Sequence, residues 1–370
     1  MKKAVIISCF NWYEKRIKPI REILLNRQYE VIVLIADFEH INKKTVQPQY
    51  DECTYIHVPE YRSNISISRI KSHLSFAKQC RRIIDEQRPD LVYCQVPPNK
   101  VANYCADYKK SNPDTTFIID IIDLWPESMP LGKLRNTLPA SMWKSWRDDA
   151  IKIADHVFTE CDLYQEKLKD VIITSKTSTL YLYKEQSDEE KKLVKEVISK
   201  GKTDDVIRFA YLGSMNNILD IDGIRRVIQY FIDSGITCEL HAIGDGESRD
   251  RFEKTIKNTG CKTMFYGPIF DELEKIRILT PCDYAFNMMK DDIAVGLTTK
   301  SIDYFSYGLP LINNIKGDTW ELVEREGVGY NLGDLLPELR TFEHKRVEDL
   351  FAREFSLDIF IGKVEKQLMT

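Results

Sequence analysis

A chain of 370 residues with a net charge of −4 exceeds what one hydrophobic core usually sustains, which predicts two domains. Hydrophobic residues at 43% and charged residues at 30% place it among soluble globular proteins, and no apolar run approaches the roughly 20 residues that cross a bilayer. Nine single cysteines without a C-x-x-C pair, and six histidines without H-x-x-x-H spacing, argue against a disulfide framework or a metal site and predict a reducing cytoplasm with no bound cofactor.

In chain order, Ala4–Ile7 is a short apolar run that ends at Ser8 and Cys9 without a cleavage site, so it reads as a first strand and not a signal peptide. Further strands are predicted at 30–36, 54–58, 90–95, 116–122 and 156–159. Between them, 67–87 reads as a helix: Ile67, Ile70, Leu74 and Ala77 repeat at three and four residues, which predicts an apolar stripe against the sheet, and Arg88-Pro89 stops it. The segment 184–205 is strongly charged and marks a domain junction. Alternation then restarts with strands at 207–212 and 237–243, a helix carrying Ile224, Val227, Ile228 and Phe231 on one face, a strand at 282–287, and the pair TTKSIDYFSYG then LPLINN as helix then strand. A closing helix follows from Phe355. The fold class is α/β, with one Rossmann-like domain over 1–185, a linker over 186–205, a second over 206–353 and a terminal helix over 354–370. Residues 1–185 carry a net charge of +4 and the remainder −8. That basic bias suits anionic lipid headgroups or a phosphorylated acceptor as well as it suits a plain solvated surface, and no nucleic-acid partner is expected.

Ligands of parallel sheets bind outside the carboxyl ends of the strands, so residues that follow strands are the candidates. Gly244-Asp245-Gly246 follows a strand and precedes a helix: it is either an anion-binding turn or a tight strand-to-helix connection. Arg249 occupies the third glycine position of a dinucleotide fingerprint, which argues against that cofactor. In the segment 296–313, Thr298 or Thr299 caps a helix whose amide-rich start lies beside Lys300, with Asp303 about one turn further on. This is a metal-free pyrophosphate site, or else a surface Lys-Asp pair on an ordinary helix. Asp123 and Glu127 flank Trp125-Pro126 at the end of a buried strand, as substrate-facing acids or as a packing turn; Asp120, inside the strand, reads as structural. Asp222 of Asp220-Ile-Asp222 reads as a helix cap and not as part of a metal motif. The stretch 138–154, with Met142, Trp143 and Trp146 among basic residues, reads as a helix packed on the first sheet or one resting on a membrane surface.

Taken in order, IIDLWPES, ADHVFTECD, AIGDGESRDRFEK, MFYGPI and TTKSIDYFSYGLPLI resemble segments of the two-domain GT-B glycosyltransferases of the family-4 type, especially bacterial enzymes of capsule and O-antigen synthesis. The resemblance covers most of the chain. It implies a retaining hexosyl transfer from a nucleoside-diphosphate sugar, most commonly a UDP-sugar, to a glycan or lipid-linked glycan at the inner face of the cell membrane, with the donor held by the C-terminal half. It implies that Lys300 and the Thr298 and Thr299 amides hold the diphosphate, Asp303 the ribose and Ile269 the base, that Gly244 to Gly246 face the donor, and that Asp123 lies near the reacting sugar. Gly213 and Ser214 belong to the donor loop. Three departures stand out: Val295 replaces the usual Glu eight residues before the ribose carboxylate, Ser214 replaces a common Arg, and the first loop, SCFNWYEKR with Asn11, lacks its glycines. A nucleotide-sugar epimerase on the same two-domain plan and a non-catalytic two-lobed binding protein are the competing readings.

Overall fold

The computed structural model describes every residue except 11–12, 41, 64–65, 130–136, 291–294, 334–341 and 369–370. The chain forms two compact units, one of Met1–Leu182 with Phe360–Thr370 and the other of Tyr183–Ile359.

The first unit is built on strands β1 (Lys3–Ser8), β2 (Glu30–Ala36), β5 (Cys53–Ile56), β6 (Leu91–Val96), β7 (Thr116–Ile121), β8 (His156–Thr159) and β9 (Thr177–Thr179), with a small antiparallel hairpin of β3 (Phe38–Glu39) and β4 (Lys44–Thr45). The seven-stranded sheet is parallel throughout, in the order β5-β2-β1-β6-β7-β8-β9. Its central strands read as nearly continuous apolar runs, interrupted by Gln95 in β6, because helices cover both faces. Those helices are α1 (Lys18–Asn26), α2 (Ile67–Gln87), α3 (Asn99–Ser111), α4 (Leu138–Ile153) and the short α5 (Asp162–Lys167).

On α2 the predicted stripe is on the wrong face. Ile67, Ile70 and Leu74 are 73%, 42% and 37% exposed, and of the four only Ala77 is buried. The face turned inward carries His73, Phe76, Ala77, Cys80 and Ile84, which repeat at the same three- and four-residue spacing. Two apolar stripes share this helix, and the one that places Phe76 and Ile84 in the core buries more surface in a close-packed interior. Ser66 caps the helix by accepting from the Arg69 amide, and Arg88 ends it in a left-handed conformation.

The second unit holds α6 (Asp188–Ser199), then β10 (Ile207–Leu212), α7 (Ile221–Asp233), β11 (Cys238–Ile243), α8 (Arg249–Lys257), β12 (Lys262–Gly267), α9 (Glu272–Leu279), β13 (Tyr284–Asn287), α10 (Thr299–Ser306), β14 (Leu311–Asn313), α11 (Asp318–Glu326), β15 (Gly329–Asn331) and α12 (His344–Glu354). Its six strands are parallel in the order β12-β11-β10-β13-β14-β15. Both sheets therefore reverse direction beside their first strand, the doubly wound arrangement whose switch point opens a crevice. The charged segment 184–205 folds as α6, opened by a capping box between Ser187 and Glu190, and packs on α9. At the start of α7 it is Asp220 that caps, accepting from the Gly223 amide at 2.9 Å, while Asp222 pairs with Arg251 at 2.8 Å. The cap therefore falls two residues earlier than the sequence reading placed it, because the backbone turns at Asp220.

The chain closes with α13 (Leu357–Leu368). Arg27 donates to the carbonyls of Leu368 and Glu365 at 2.6 and 3.1 Å, placing a cation on the orphan acceptors of that helix end.

Candidate functional site

Beyond Ala210 the strands β10 and β13 diverge, since their ladder holds only Phe209↔Tyr284 and Ala210↔Ala285. The buried Tyr304 of α10 fills the gap: its hydroxyl accepts from the Leu212 amide at 2.6 Å and donates toward the Phe286 carbonyl at 3.4 Å. That fixes the start of α10 over the switch point. Thr298 caps the helix by accepting from the Ser301 amide, and its own hydroxyl donates to Asn287 Oδ1 at 2.9 Å. Asn287, Asn313 and Asn331 stand in register at the ends of β13, β14 and β15, and their side-chain amides run in a buried ladder at 2.9 and 2.8 Å. A fully bonded buried network of this kind holds Thr298 rigidly.

The result is a pocket of about 350 Å³ within the second unit, lined by Tyr211, Gly213, Ser214, Thr298, Thr299, Lys300 and Asp303 among others. Among the described residues no acceptor takes the backbone amides of Ser214, Thr299 or Lys300, so the pocket presents free donors at a helix start. The Lys300 ammonium lies 5.2 Å from the centre of the Tyr211 ring, and no carboxylate among the described residues bonds it. Burial pushes it down to about 8. A cation desolvated without a bound counter-charge is poised to gain from an anion.

Asp303 shares the pocket with Lys300 but pairs with a different lysine. Lys184 donates to Asp303 Oδ1 at 2.8 Å and to Glu272, and the Tyr307 hydroxyl donates to Glu272 at 2.5 Å. Burial raises the Glu272 carboxyl, but the charge and hydrogen bond of Lys184 outweigh it and hold the group near 2. Lys184 carries no sequence signal, because it sits in the charged run that marks the junction.

Gly244 and Gly246 have a different cause. A Cβ on Gly244 would stand 2.0 Å from the Gly213 carbonyl oxygen, and one on Gly246 would stand 2.5 Å from that of Met215. Both have positive φ, 136° and 152°. They are glycines because the loops after β10 and β11 pack backbone to backbone, and with Asp245 they lie outside the pocket lining. Ile269 follows β12 and is also outside the lining. Val295 precedes α10 on a loop anchored by Thr319, whose amide and hydroxyl both donate to the Gly296 carbonyl at 2.8 Å.

In the first unit three acids around the end of β7 are occupied. Asp123 accepts from Trp125 Nε1 at 2.6 Å and from the Ser128 hydroxyl at 2.5 Å, and burial raises its carboxyl above the usual range. Glu127 takes a two-pronged bond from the buried Arg147 at 2.8 Å on each oxygen. Asp120 pairs in the same way with the buried Arg16 at 2.6 and 2.7 Å. Glu160, directly after β8, was not singled out in the sequence; burial pushes its carboxyl up to about 8. Asn11 lies outside the described residues.

Among the described residues no cluster of His, Cys, Asp and Glu could hold a metal, and no helix is long and apolar enough to cross a membrane. No family model matches the sequence, and no characterised protein matches it at the level of sequence. Solved structures do match over the full length. The sucrose-phosphate synthase of Thermosynechococcus elongatus is 13% identical, with a TM-score of 0.65 over 100% of this chain and 99% of that one. The HepE protein of Anabaena in complex with UDP is 12% identical, with a TM-score of 0.62 over 100% of both chains. The UDP-GlcNAc 2-epimerase of Methanocaldococcus jannaschii is 12% identical, with a TM-score of 0.53 over 100% and 99%. At these identities the likeness fixes the fold: two parallel-sheet α/β units of the GT-B type.

Proposed function

We propose that the chain is a glycosyltransferase whose second unit holds a nucleoside-diphosphate sugar, a UDP-sugar by preference, in the pocket at the start of α10. The observation that carries this is Lys300, a desolvated ammonium beside three backbone amides that no acceptor takes among the described residues. The diphosphate binds there, and the same donors stabilise its growing negative charge as the glycosidic bond breaks, which is the role of an electrostatic clamp. Asp303, steadied on one oxygen by Lys184, offers the other to a ribose hydroxyl. Gly213 and Ser214 line the same pocket, whereas Gly244 to Gly246, Ile269 and Asp123 lie outside its lining and take no part in this clamp. The N-terminal region, 1–185, takes the acceptor, a glycan or lipid-linked glycan of a cell-surface polysaccharide made at the cytoplasmic face of the membrane. The structural likeness to a protein solved with UDP supports the choice of base.

A second reading, a nucleotide-sugar epimerase, is favoured by the likeness to an enzyme of that activity on the same fold. Both readings are tested together. Thermal shifts with UDP, GDP and ADP select the base, and a UDP shift that vanishes in Lys300→Ala is expected. Product analysis with donor alone separates the reactions: an epimerised nucleotide sugar overturns the transferase, and transfer only when a glycan acceptor is added upholds it.

A further inference from the structure

The first unit carries a second, chemically different cavity. Between α2, α4 and the turn after β6 lies a groove of about 300 Å³, at the lower end of the range for small-molecule sites. Its walls are Ile70 and Leu74 on one side and Met142, Trp143 and Trp146 on the other. Two residues of the predicted α2 stripe, Ile70 and Leu74, face this groove instead of the sheet. Met142 is 51% exposed and the neighbouring Leu138 is 87% exposed, so α2 and α4 together display a continuous apolar surface, which monomeric proteins seldom leave without an occupant.

Two features say what the occupant is. At the floor, His73 is 5% exposed and neither ring nitrogen has a hydrogen-bond partner. Its ring stacks on Trp125 at 5.6 Å and stands edge-on to Phe10 at 5.9 Å, so it is held in place beneath the surface with both nitrogens unbonded. The described lining includes two cations, Arg69 and Lys100, and no carboxylate. Arg69 packs over Trp125 at 4.1 Å, and Lys100 over Trp146 at 4.7 Å. A neutral hydrocarbon would satisfy the walls but not His73, and a simple sugar would satisfy His73 but leave the walls wet.

We infer that this groove binds a single-chain lipid phosphate, with the hydrocarbon along Ile70, Leu74, Met142 and Trp143 and the phosphate beside His73, Arg69 and Lys100. Its service as the acceptor's lipid anchor rests on the transferase reading; the binding itself does not.

The test is calorimetric titration of the full chain, without donor, using octyl phosphate below its micellar concentration. Saturable one-to-one binding is expected, tightening about tenfold from octyl to decyl phosphate as two more methylenes are buried. Octyl glucoside should bind at least tenfold more weakly, and inorganic phosphate not measurably. Met142→Asp and Leu74→Asp replace partly exposed residues and should keep the fold; each should weaken decyl phosphate at least tenfold while the UDP thermal shift stays unchanged. Binding that never saturates, or that neither substitution moves, overturns the inference. So does attachment to phosphatidylglycerol vesicles that excess decyl phosphate fails to displace, since that would mark a membrane-resting surface and not a chain-binding groove. Decyl phosphate binding without any nucleotide shift would sink the transferase reading and leave the groove standing.

Discussion

The two units end their sheets in opposite ways. At the end of β7 three acids of the first unit are consumed by their own fold: Asp123 is held by Trp125 and Ser128, Glu127 by Arg147, and Asp120 by Arg16. After β10 and β13 the second unit keeps its structural polar groups one layer down, in the Asn287-Asn313-Asn331 ladder, and leaves Lys300 and three amides open. A buried charge that is already paired has little to offer a ligand, while a desolvated charge without a counter-ion gains free energy on meeting one. The same types of residue therefore mean architecture in one unit and a candidate site in the other.

The sharpest way to break this contrast is Arg16→Met. Arg16 and Asp120 are both fully buried, so removing the cation leaves an uncompensated carboxylate and should cost about 3–5 kcal/mol of stability. Denaturant unfolding measures it, and a loss below about 1 kcal/mol would contradict a structural role. Lys300→Ala should do the reverse: little change in unfolding, but a loss of about 2 kcal/mol in UDP-sugar affinity, roughly thirtyfold, by calorimetry.

The pH dependence follows from the same group. Lys300 is held down to about 8 by burial, and a bound diphosphate favours its charged form and raises it again. Donor affinity should therefore be full below pH 8 and fall by up to about tenfold per unit above it, with a flatter profile in Lys300→Ala; a wild-type profile that stays level to pH 9.5 would contradict the assignment. The smallest expected effect is that of Lys184→Met. It frees Asp303 and leaves Glu272 with Lys275 as its remaining cation, which should weaken the donor about fivefold, near 1 kcal/mol, with turnover at saturation nearly unchanged. A fall in turnover with unchanged affinity would place Lys184 elsewhere in the reaction.

Much of the molecule was legible from local pattern. The β-branched runs at Ala4–Ser8, Glu30–Ala36 and Ile207–Leu212 are strands, and of the two candidate threonines Thr298 caps α10. Periodicity misled on α2, where two apolar stripes compete and only the volume available beneath the helix chooses between them. It misled on the Asp220-Ile-Asp222 cap as well, because the carboxylate that caps is selected by where the backbone turns.

The sequence by itself determined the element order, the α/β class and the placing of Lys300 at the start of a helix, because each of these depends on neighbours within a few residues. Tertiary structure decided which charges were already taken, that Gly244 and Gly246 serve the packing of two loops, and that His73 sits unpartnered beneath an apolar groove. Those outcomes depend on pairings such as Arg16 with Asp120 and Lys184 with Asp303, 104 and 119 residues apart, which no local window contains.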